Sequence, residues 1–544
     1  MRRLIQFLFT LGFAVSALLA SNKRPNIVLI MADDVGLGDI GRHHTEHTGR
    51  APLAPTPTID ALADAGMWFT DAHSPTSLCS PSRYAVMTGN YNFRSYAPWG
   101  VWGTFRPSAI TTKDATLGTI AKKAGYTTGF IGKWHLGGDF YKKGSRDIYR
   151  GNDRGDVPLD VDMRKWIANG PQDLGFDYDY TLPTGVQGPV YLAFENGKWA
   201  PLSTQSKIIH YNKSSALDPI FVSDKGPGPG DSQWDSYRIN QVLANKAVAF
   251  IESAARQKEP FFLCYWSPAV HIPHTPPEHL EGTAIRGTTP TAHTDMNRVV
   301  DWEVQKIVAA LKSTGEYENT LIIFTSDNGG LYDKEAQLAG HTSNGGHITG
   351  TKNMAEEGGH LVPLIVTWPN VVQAGSRNGA LVNGTDILAT IASVTQVKLN
   401  KYQAMDSHNL LGSILNTSNY KPRKETLLQS GSTYQVMLRQ GKWKLIMQTD
   451  YLLKSYTAVG LYNLSVNSYE NAATNLVHDP KHTERFCTHG LHSCIAVVFQ
   501  SRPSYLALAV AHNQSVLALH VPVIPAPQRD VLAVAARRDG VRRR

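Results

Sequence analysis

Cysteine is scarce in this chain of 544 residues, where it occurs at four positions. Four cysteines in a chain of this length do not provide the disulfide framework that holds small secreted domains together. Cys264 lies in an apolar run and is expected to be a buried thiol, whereas Cys487 and Cys494 could pair with each other. The fold must therefore depend on a hydrophobic core, for which the length is sufficient.

A large net charge is also missing from the body of the chain. The formal charge is +8, but Arg2 and Arg3 contribute two of these charges and the segment from Cys487 to the end contributes five. The rest of the chain is therefore close to neutral. Nucleic-acid binding by the body is not supported, because it would require a concentrated basic surface.

Long apolar runs are confined to the N-terminus, and no internal repeat is evident. Met1–Arg3 is basic and Leu4–Ala20 is apolar with small residues near its end, which predicts a signal peptide over residues 1–20. A membrane anchor is the alternative, but polar residues interrupt the run and its length is marginal for a span. We expect an exported protein without stable membrane insertion, secreted or periplasmic, or lysosomal if the host is a eukaryote.

What the sequence does contain is a regular alternation of apolar strands and helices. Four predicted strands are followed directly by polar side chains: Asn26–Met31 by Asp33 and Asp34, Gly125–Gly132 by Lys133 and His135, Pro260–Trp266 by His271, and Leu321–Ser326 by Asp327 and Asn328. Helices are predicted over 58–67, 115–124, 241–255 and 299–311, and further strands over 69–73 and 364–368. The alternation predicts a doubly wound α/β sheet with a site at the carboxyl ends of its strands.

The segments outside this alternation differ in composition. Residues 139–235, rich in Gly, Asp, Pro and aromatics, are expected to form loops over the site, with a weak point at 225–230. Tyr434–Arg439 and Trp443–Met447 look like a hairpin, and 460–464 like a further strand or turn. The chain thus divides into a large α/β domain over 23–424, a smaller C-terminal α+β domain with an antiparallel sheet over 425–486, and a basic tail over 487–544 without an assigned fold.

Two pairs of oxygen donors follow strands of the predicted sheet. Asp33 and Asp34 come after one strand and Asp327 and Asn328 after another, with no Cys or His nearby in sequence. Three carboxylates and an amide oxygen favour a hard cation, and a site built from loops suits Ca²⁺ better than Mg²⁺, which is the alternative. Either pair alone would more often be a turn or a helix cap.

The most informative stretch is CSPSR at 79–83, followed by Thr88-Gly89. On a helix that begins near Pro81, Cys79 and Arg83 share a face. The free N–H groups and partial positive charge of the helix N-terminus would stabilise a dianion beside them. For a lone cysteine, a buried thiol without a chemical role is the plainer interpretation.

With this motif, C-x-P-S-R-x-x-x-x-T-G, the chain resembles the type I sulfatases, which have an alkaline-phosphatase-like fold with a mixed sheet flanked by helices. The resemblance covers about residues 23–480. It is also carried by PNIV at 25–28, GKWHLG at 132–137, PAVH at 268–271, DNG at 327–329, and Lys352 ahead of EGG at 357–359. The resemblance implies that a formylglycine-generating maturation enzyme oxidises Cys79 to 3-oxoalanine (formylglycine), whose hydrated form, a geminal diol, is the nucleophile.

The resemblance also assigns roles to the polar residues that follow the strands. It implies that a divalent metal is held by Asp33, Asp34, Asp327, Asn328 and the modified Cys79. It implies that the sulfate oxygens are bound by Lys133, His271 and Lys352, and that the diol is oriented by Arg83 and His135. The chain departs from the family after Glu-Gly-Gly, where relatives often carry Arg and His360 follows here; either His360 takes its place or the local ion pair is absent. The segment 345–351 ahead of Lys352 also makes the resemblance at Lys352 less specific than at the other motifs.

The implied reaction is hydrolysis of a sulfate monoester, with a sulfated carbohydrate or an aryl sulfate as substrate. Asp327 would accept the proton of the attacking hydroxyl, and His271, helped by Lys352, would protonate the departing alkoxide. His135 would then take the proton of the second hydroxyl, so that sulfate is expelled. Further substrate contacts are hypothesised for His274, Trp99 and Trp102.

Two other functions fit the same sequence. A phosphomonoester or phosphodiester hydrolase of the same fold could use the same metal and oxyanion contacts. A catalytically silent homologue that binds sulfated glycans would keep Cys79 as a free thiol. Relative rates on sulfate and phosphate esters separate the first alternative, and the mass of the peptide that contains Cys79 separates the second.

Overall fold

The computed structural model describes residues 24–212, 226–479 and 481–482. The predicted signal peptide at 1–20, the basic tail at 487–544 and the suggested Cys487–Cys494 pair lie outside these residues. None of the helices in the described part of the chain combines the length and the hydropathy that a membrane span requires.

Strands form one large sheet and several smaller ones. Within the described residues the strands are β1 (Asn26–Ala32), β2 (Met67–His73), β3 (Thr127–Lys133), β4 (Tyr178–Leu182), β5 (Ala193–Glu195), β6 (Lys198–Ala200), β7 (Ile208–Tyr211), β8 (Gly228–Asp231), β9 (Phe261–Trp266), β10 (His279–Leu280), β11 (Thr283–Ala284), β12 (Thr320–Ser326), β13 (Leu364–Thr367), β14 (Ser376–Asn383), β15 (Glu425–Gln429), β16 (Gln435–Gln440), β17 (Trp443–Thr449) and β18 (Tyr456–Asn463). The large sheet has the order β14-β2-β13-β12-β1-β9-β3-β4-β5-β6, and a second sheet has the order β15-β16-β17-β18.

Helices cover both faces of the large sheet. The described α-helices are α1 (Gly41–Thr48), α2 (Pro57–Ala65), α3 (Cys79–Thr88), α4 (Leu117–Lys123), α5 (Ile239–Gln257), α6 (Ala292–Ser313), α7 (Lys334–Leu338), α8 (Glu357–His360), α9 (Asp386–Val394) and α10 (Leu411–Ile414). Alternate residues of β1 enter two different hydrophobic cores, Leu29 with residues of α3, α4 and α9, and Val28 with residues of α2, α5 and α6. Because side chains alternate along a strand, this division means that the sheet is covered on both sides.

The centre of the sheet has the parallel arrangement that positions a site at one edge. β1 pairs in parallel with β12 on one side and with β9 on the other, and β9 pairs in parallel with β3. Every residue of β1, β9 and β12 is buried. The carboxyl ends of these four strands therefore meet at one edge, and the predicted doubly wound α/β fold is confirmed, with antiparallel β13 making the sheet mixed.

The starts of α6 and α3 differ from the sequence prediction. The helix predicted over 299–311 begins at Ala292, because the Thr291 side chain accepts a hydrogen bond from the backbone of Thr294 and caps it. Its first turns carry buried polar side chains such as His293 and Asp295, which hide the apolar periodicity. The helix expected to begin near Pro81 begins at Cys79, which places the cysteine in its first turn.

The insertion over 139–235 is only partly the set of loops that its composition predicts. It supplies β4, which pairs in parallel with β3, and the antiparallel strands β5 and β6 at the edge of the large sheet. The weak point predicted at 225–230 is also wrong, since Gly228–Asp231 forms the buried strand β8, paired with β7. Short strands with Gly and Pro carry little periodicity, so composition alone suggests loops.

The C-terminal sheet contains the predicted hairpin of β16 and β17, followed by β18. Buried charges join this sheet to α8. Glu357 forms ion pairs with Arg439 of β16 and, at 3.0 Å, with Lys444 of β17. Lys444 also lies 3.0 Å from the Nε2 atom of His360. Arg439 of the C-terminal sheet thus pairs with Glu357, where relatives often carry an arginine close by in sequence.

Candidate active site

Carboxylates from two neighbouring strands converge at the edge of the large sheet. Parallel pairing sets Ala32 opposite Ser326, so Asp33 and Asp34 lie beside Asp327 and Asn328. The backbone N–H of Asp34 donates to Asp327 Oδ1 at 3.2 Å, and Asn328 Nδ2 donates to Asp34 Oδ1 at 2.9 Å. Asp34 has a φ of 65°, a left-handed conformation that costs a non-glycine residue about 1 kcal/mol and is common at functional sites.

Cys79 lies against these carboxylates. Its Sγ atom is 3.5 Å from Asp33 Oδ1 and 3.9 Å from Asp34 Oδ1, and the residue is 1% exposed. Burial raises the pKa of the Cys79 thiol far above its usual range, and the nearby Asp33 and Asp327 charges act in the same direction. The unmodified side chain is therefore a protonated thiol and a poor nucleophile.

Three buried cations surround the same carboxylates. Arg83, one turn after Cys79 on α3, donates from Nε to Asp327 Oδ2 at 2.9 Å and from Nη1 to the carbonyl of Lys133 at 3.0 Å. Lys133 forms an ion pair with Asp33, and Lys352 lies 2.7 Å from the Asp34 carboxylate. Arg83 also lies 3.4 Å from Asp33, so Asp33 is shared by Arg83 and Lys133.

The charges are nearly balanced in the buried centre. Burial alone would raise the pKa of Asp33 and of Asp34. The charges of Lys133 and Arg83 nevertheless lower the pKa of Asp33 below its usual value, and those of Lys352 and Lys133 do the same for Asp34. Burial and the Asp33 charge raise the pKa of Asp327 to about 7. A bound divalent cation and a bound anion would partly offset each other's charge in this centre.

Two histidines complete the centre. His135, two residues after the end of β3, has a φ of 59°, and Ser80 Oγ of α3 donates to its carbonyl at 2.5 Å. His271 follows β9, and its segment is held to Asp33 by backbone hydrogen bonds in both directions. Burial, followed by the charge of Lys133, lowers the pKa of His135 well below its usual range. Burial and the charge of Lys352 do the same for the pKa of His271, so both rings are neutral.

His274 lies beside this centre in a polar cluster that the sequence did not suggest. Its Nε2 atom is 3.4 Å from Nδ1 of His293, and its Nδ1 atom is 3.6 Å from Asp333. His293 in turn contacts the buried carboxylate of Asp39, which also accepts from His341 at 2.7 Å. A direct substrate contact by His274 stays a prediction, since protein groups face both of its ring nitrogens.

The tryptophans suggested as sugar contacts lie in hydrophobic cores. Trp102 is 2% exposed and packs in the core under α3 and α4, and Trp99 is 7% exposed and packs with residues of the C-terminal sheet. Neither ring forms an open platform, so this hypothesis is wrong for the described structure. Exposure cannot be predicted for a tryptophan in a segment without periodicity.

The donor set fits a divalent metal ion. The Oδ1 atom of Asn328 is buried and has no hydrogen-bond partner in the described residues, although its Nδ2 atom is bonded on both sides. A buried amide oxygen without a partner is costly unless it binds a ligand. With three carboxylates beside it, all the donors apart from Cys79 are oxygens, which suits Ca²⁺ or Mg²⁺.

A cavity of about 470 Å³ opens next to the centre. Its lining includes Leu78 and Asn353, the chain neighbours of Cys79 and Lys352, together with Arg106, Asp153 and Arg154. Arg106 donates to Asp153 at 2.9 Å, whereas exposed Arg154 forms no ion pair with the described residues. Nothing in the sequence singled out Arg154, because it lies in the insertion without motif or periodicity.

Comparison with known proteins identifies similar proteins along most of the chain. The family model described as Sulfatase matches residues 25–397. An N-acetylgalactosamine-6-O-sulfatase of Bacteroides thetaiotaomicron is 30% identical over 462 residues, covering 79% of this chain and 84% of that protein. The mouse N-acetylgalactosamine-6-sulfatase is 29% identical over 405 residues, covering 72% of this chain and 66% of that protein.

Solved structures show the same fold. A sulfatase structure from work on glycosaminoglycan metabolism by Bacteroides thetaiotaomicron superposes with a TM-score of 0.70 at 27% identity, covering 87% of this chain and 99% of the other. A phosphonate monoester hydrolase of Agrobacterium radiobacter superposes with a TM-score of 0.54 at 17% identity, covering 87% and 95%. The second likeness concerns the fold alone, which is therefore shared by enzymes that act on different esters.

Proposed function

The chain belongs to the sulfatase family, whose members are sulfuric ester hydrolases of alkaline-phosphatase-like fold, and from this premise we propose that it cleaves sulfate monoesters of carbohydrates with a formylglycine derived from Cys79 and a bound divalent metal. The observation that carries this proposal is the position of the Cys79 Sγ atom, 3.5 Å from Asp33 Oδ1, in a centre where Asn328 Oδ1 has no hydrogen-bond partner among the described residues. A maturation enzyme is the partner that this proposal requires. Export of the protein stays a prediction.

The chain supplies the residues for both parts of the centre. Asp33, Asp34, Asp327 and Asn328 would hold the metal ion, with the modified Cys79 as a further ligand. When bound, the ion would polarise sulfate oxygens and favour deprotonation of a hydroxyl, while the hydrated aldehyde would offer two hydroxyls on one carbon. One hydroxyl would attack sulfur, and removal of the proton of the other hydroxyl would allow sulfate to be expelled.

Buried cations would stabilise the developing charge. Lys133 pairs with Asp33, Lys352 pairs with Asp34, and Arg83 donates to Asp327 through Nε. Donors held in place in a water-poor site contribute typically about 3 kcal/mol each to stabilising a transition state. Asp327, whose Oδ2 atom accepts from Arg83 Nε at 2.9 Å, would accept the proton of the attacking hydroxyl.

The leaving alkoxide needs a proton donor, and His271 is the proposed one. Its Nδ1 atom lies 2.6 Å from the carbonyl of Ile272, to which it donates, so Nε2 is the nitrogen that faces Asp34, at 3.9 Å. Burial keeps this ring neutral, and the negative charge of a sulfate monoester, which is a monoanion, beside Nε2 would favour its protonation. His271 would thus take up a proton with the substrate and give it to the alkoxide, while neutral His135 would accept the proton of the second hydroxyl.

The experiment that tests this function compares two esters of the same alcohol. Protein co-expressed with a maturation enzyme should hydrolyse an aryl sulfate at least about 100-fold faster, in kcat/KM, than the matching aryl phosphate. Sulfated oligosaccharides then identify the sugar. A faster rate on the phosphate would favour the phosphoester alternative, because the fold alone does not distinguish the two activities.

Arg154 provides a prediction about the substrate. As an exposed cation on the rim of the cavity, it is suited to bind a second anionic group of a sulfated glycan, such as a carboxylate or another sulfate. Arg154→Ala should raise KM about 3- to 10-fold for such a glycan and leave kcat/KM for a small aryl sulfate unchanged, because a rim charge contributes about 1 kcal/mol.

The matched control for this prediction is Arg164→Ala. Arg164 is exposed in the same insertion but is paired with Asp162 at 2.7 Å and does not line the cavity. Steady-state kinetics of both variants on both substrates measure the difference. Equal changes on the glycan and the aryl sulfate would rule out the proposed contact.

A further inference from the structure

Three histidines form a cluster outside the active site. His43 and His47 are one turn apart on α1, and His347 lies in the loop that leads to Lys352. The ring centroids are 3.9 Å apart for His43 and His47, 4.0 Å for His47 and His347, and 5.3 Å for His43 and His347. One ring nitrogen from each histidine lies within 4.8 Å of the other two.

The backbone brings these side chains together from two distant segments. Positions i and i+4 share a face of a helix, which sets His43 and His47 side by side. Gly345 and Gly346 have φ values of 79° and 73°, and this left-handed turn returns the chain toward α1. Ser468 and Tyr469 donate to the carbonyls of His347 and Gly346 at 2.6 Å and 2.7 Å, so the loop is fixed from the C-terminal side as well.

The nitrogens of these rings are available as ligands. The Nδ1 atom of His47 lies 3.0 Å from the carbonyl of His43, and Nδ1 of His347 lies 3.3 Å from that of Gly345, which leaves each Nε2 atom with a free lone pair. His43 is 6% exposed, and its Nδ1 atom is buried without a partner in the described residues.

We propose that His43, His47 and His347 bind one transition-metal ion, with Zn²⁺ as the reference ion. Neutral imidazoles suit Zn²⁺, Cu²⁺ and Ni²⁺, whereas Ca²⁺ and Mg²⁺ prefer the oxygens of the active centre. The nearest carboxylate on α1, Glu46, is engaged by Arg42 and Arg377 and is not needed as a ligand. Three histidines and an exposed side leave the fourth position for water.

The ion would join α1 to the loop that carries Lys352 five residues after His347. A tetrahedral zinc site with bonds of about 2.1 Å needs nitrogens about 3.4 Å apart. The ring of His47 stacks on those of His43 and His347, with interplanar angles of 23° and 17°, so the three lone pairs do not converge in this arrangement. The exposed ring of His47 would rotate out of this stack to direct a nitrogen at the ion, while His43 stays buried. Because the ligands come from separate segments, binding would stabilise the folded protein.

The test titrates Ca²⁺-saturated protein with Zn²⁺ by calorimetry and with Co²⁺ by visible absorption, so that the active centre is already filled. Wild-type protein should bind one more ion than either His47→Ala or His347→Ala, or should bind that ion at least about 10-fold more tightly than the variants do. With Co²⁺, the wild type should also show the absorption of tetrahedral cobalt. Its Tm should rise with Zn²⁺, and that rise should be lost in both variants.

The matched control is His279→Ala, which removes another exposed histidine, on β10, and should keep the ion. Circular dichroism and aryl sulfate activity without zinc check that His47→Ala folds, since alanine is a good residue for an exposed helix position. Ions bound by the cluster of Asp39, His293 and His341 would be common to all variants. Equal stoichiometry, affinity and Tm shift in wild type and His47→Ala would overturn the proposal, whatever the catalytic activity of the protein.

Discussion

Cys79→Ser should abolish repeated turnover, with a fall in kcat of at least about 10⁴-fold on an aryl sulfate. Serine keeps one hydroxyl at the position that lies against Asp33 and Asp34, so a single attack on sulfur remains conceivable. A sulfated serine has no second hydroxyl whose proton can be removed to expel sulfate. The expected product is therefore a stable sulfate ester on residue 79, which mass spectrometry of the peptide detects.

The control for this variant is Cys264→Ser, which makes the same atomic exchange in β9. Cys264 is fully buried and lies in the hydrophobic core of the sheet. The control should lose stability, by about 1–3 kcal/mol for a buried hydroxyl, but keep its rate per folded molecule. Turnover by Cys79→Ser within about tenfold of wild type would show that a formylglycine at residue 79 is not required for catalysis.

The second large effect is expected at the metal centre. Asp327→Asn should lower kcat/KM about 10³-fold and raise the Ca²⁺ concentration required for half-maximal activity, because it removes one of three carboxylates and the proposed proton acceptor. Arg83 and Lys133 would then lie in a buried centre with less negative charge than they have now. Chelation of the wild-type protein should cause a similar loss, restored by Ca²⁺.

The pH dependence of metal binding gives this prediction a second measurement. Burial and the Asp33 charge raise the pKa of Asp327 to about 7, so a proton must leave before the ion binds at lower pH. The Ca²⁺ affinity of wild type should therefore rise as pH increases through about 7, and this dependence should be weaker in Asp327→Asn.

Asp301→Asn is the matched control. Asp301 is another buried carboxylate with a raised pKa, but it accepts from the backbone of Thr58 and Ile59, away from the centre. Isothermal titration with Ca²⁺ at several pH values distinguishes the variants. An unchanged Ca²⁺ requirement in Asp327→Asn would contradict the assigned ligand set.

The elements that position the site could be predicted because each is a short, strongly patterned segment. β1 and β9 are buried apolar runs and β12 has an apolar centre. Asp33 and Asp327 follow β1 and β12 directly, and His271 lies five residues after the end of β9. Once parallel pairing is assumed, their meeting at one edge follows from the fold. The structure also brings Cys79, Arg83, Lys133, His135 and Lys352 to that edge, whereas their chemical roles remain proposals.

Other features depend on contacts between distant segments and carry no local signal. The pair of Glu357 and Arg439 joins α8 to β16 across the chain, although the sequence suggested only a missing local cation. The strands of the insertion are too short for periodicity to reveal. Arg154 matters because it lines the cavity, and His347 because it lies beside His43 and His47. A single sequence does not reveal such contacts between distant segments.

The most direct test of the central claim is the mass of the peptide that contains Cys79, taken from protein made with a maturation enzyme and shown to hydrolyse an aryl sulfate. We predict a peptide lighter than its genetic sequence by the difference between a CH₂SH and a CHO side chain, with the loss located at residue 79. A free thiol at that position throughout a fully active preparation would contradict the account.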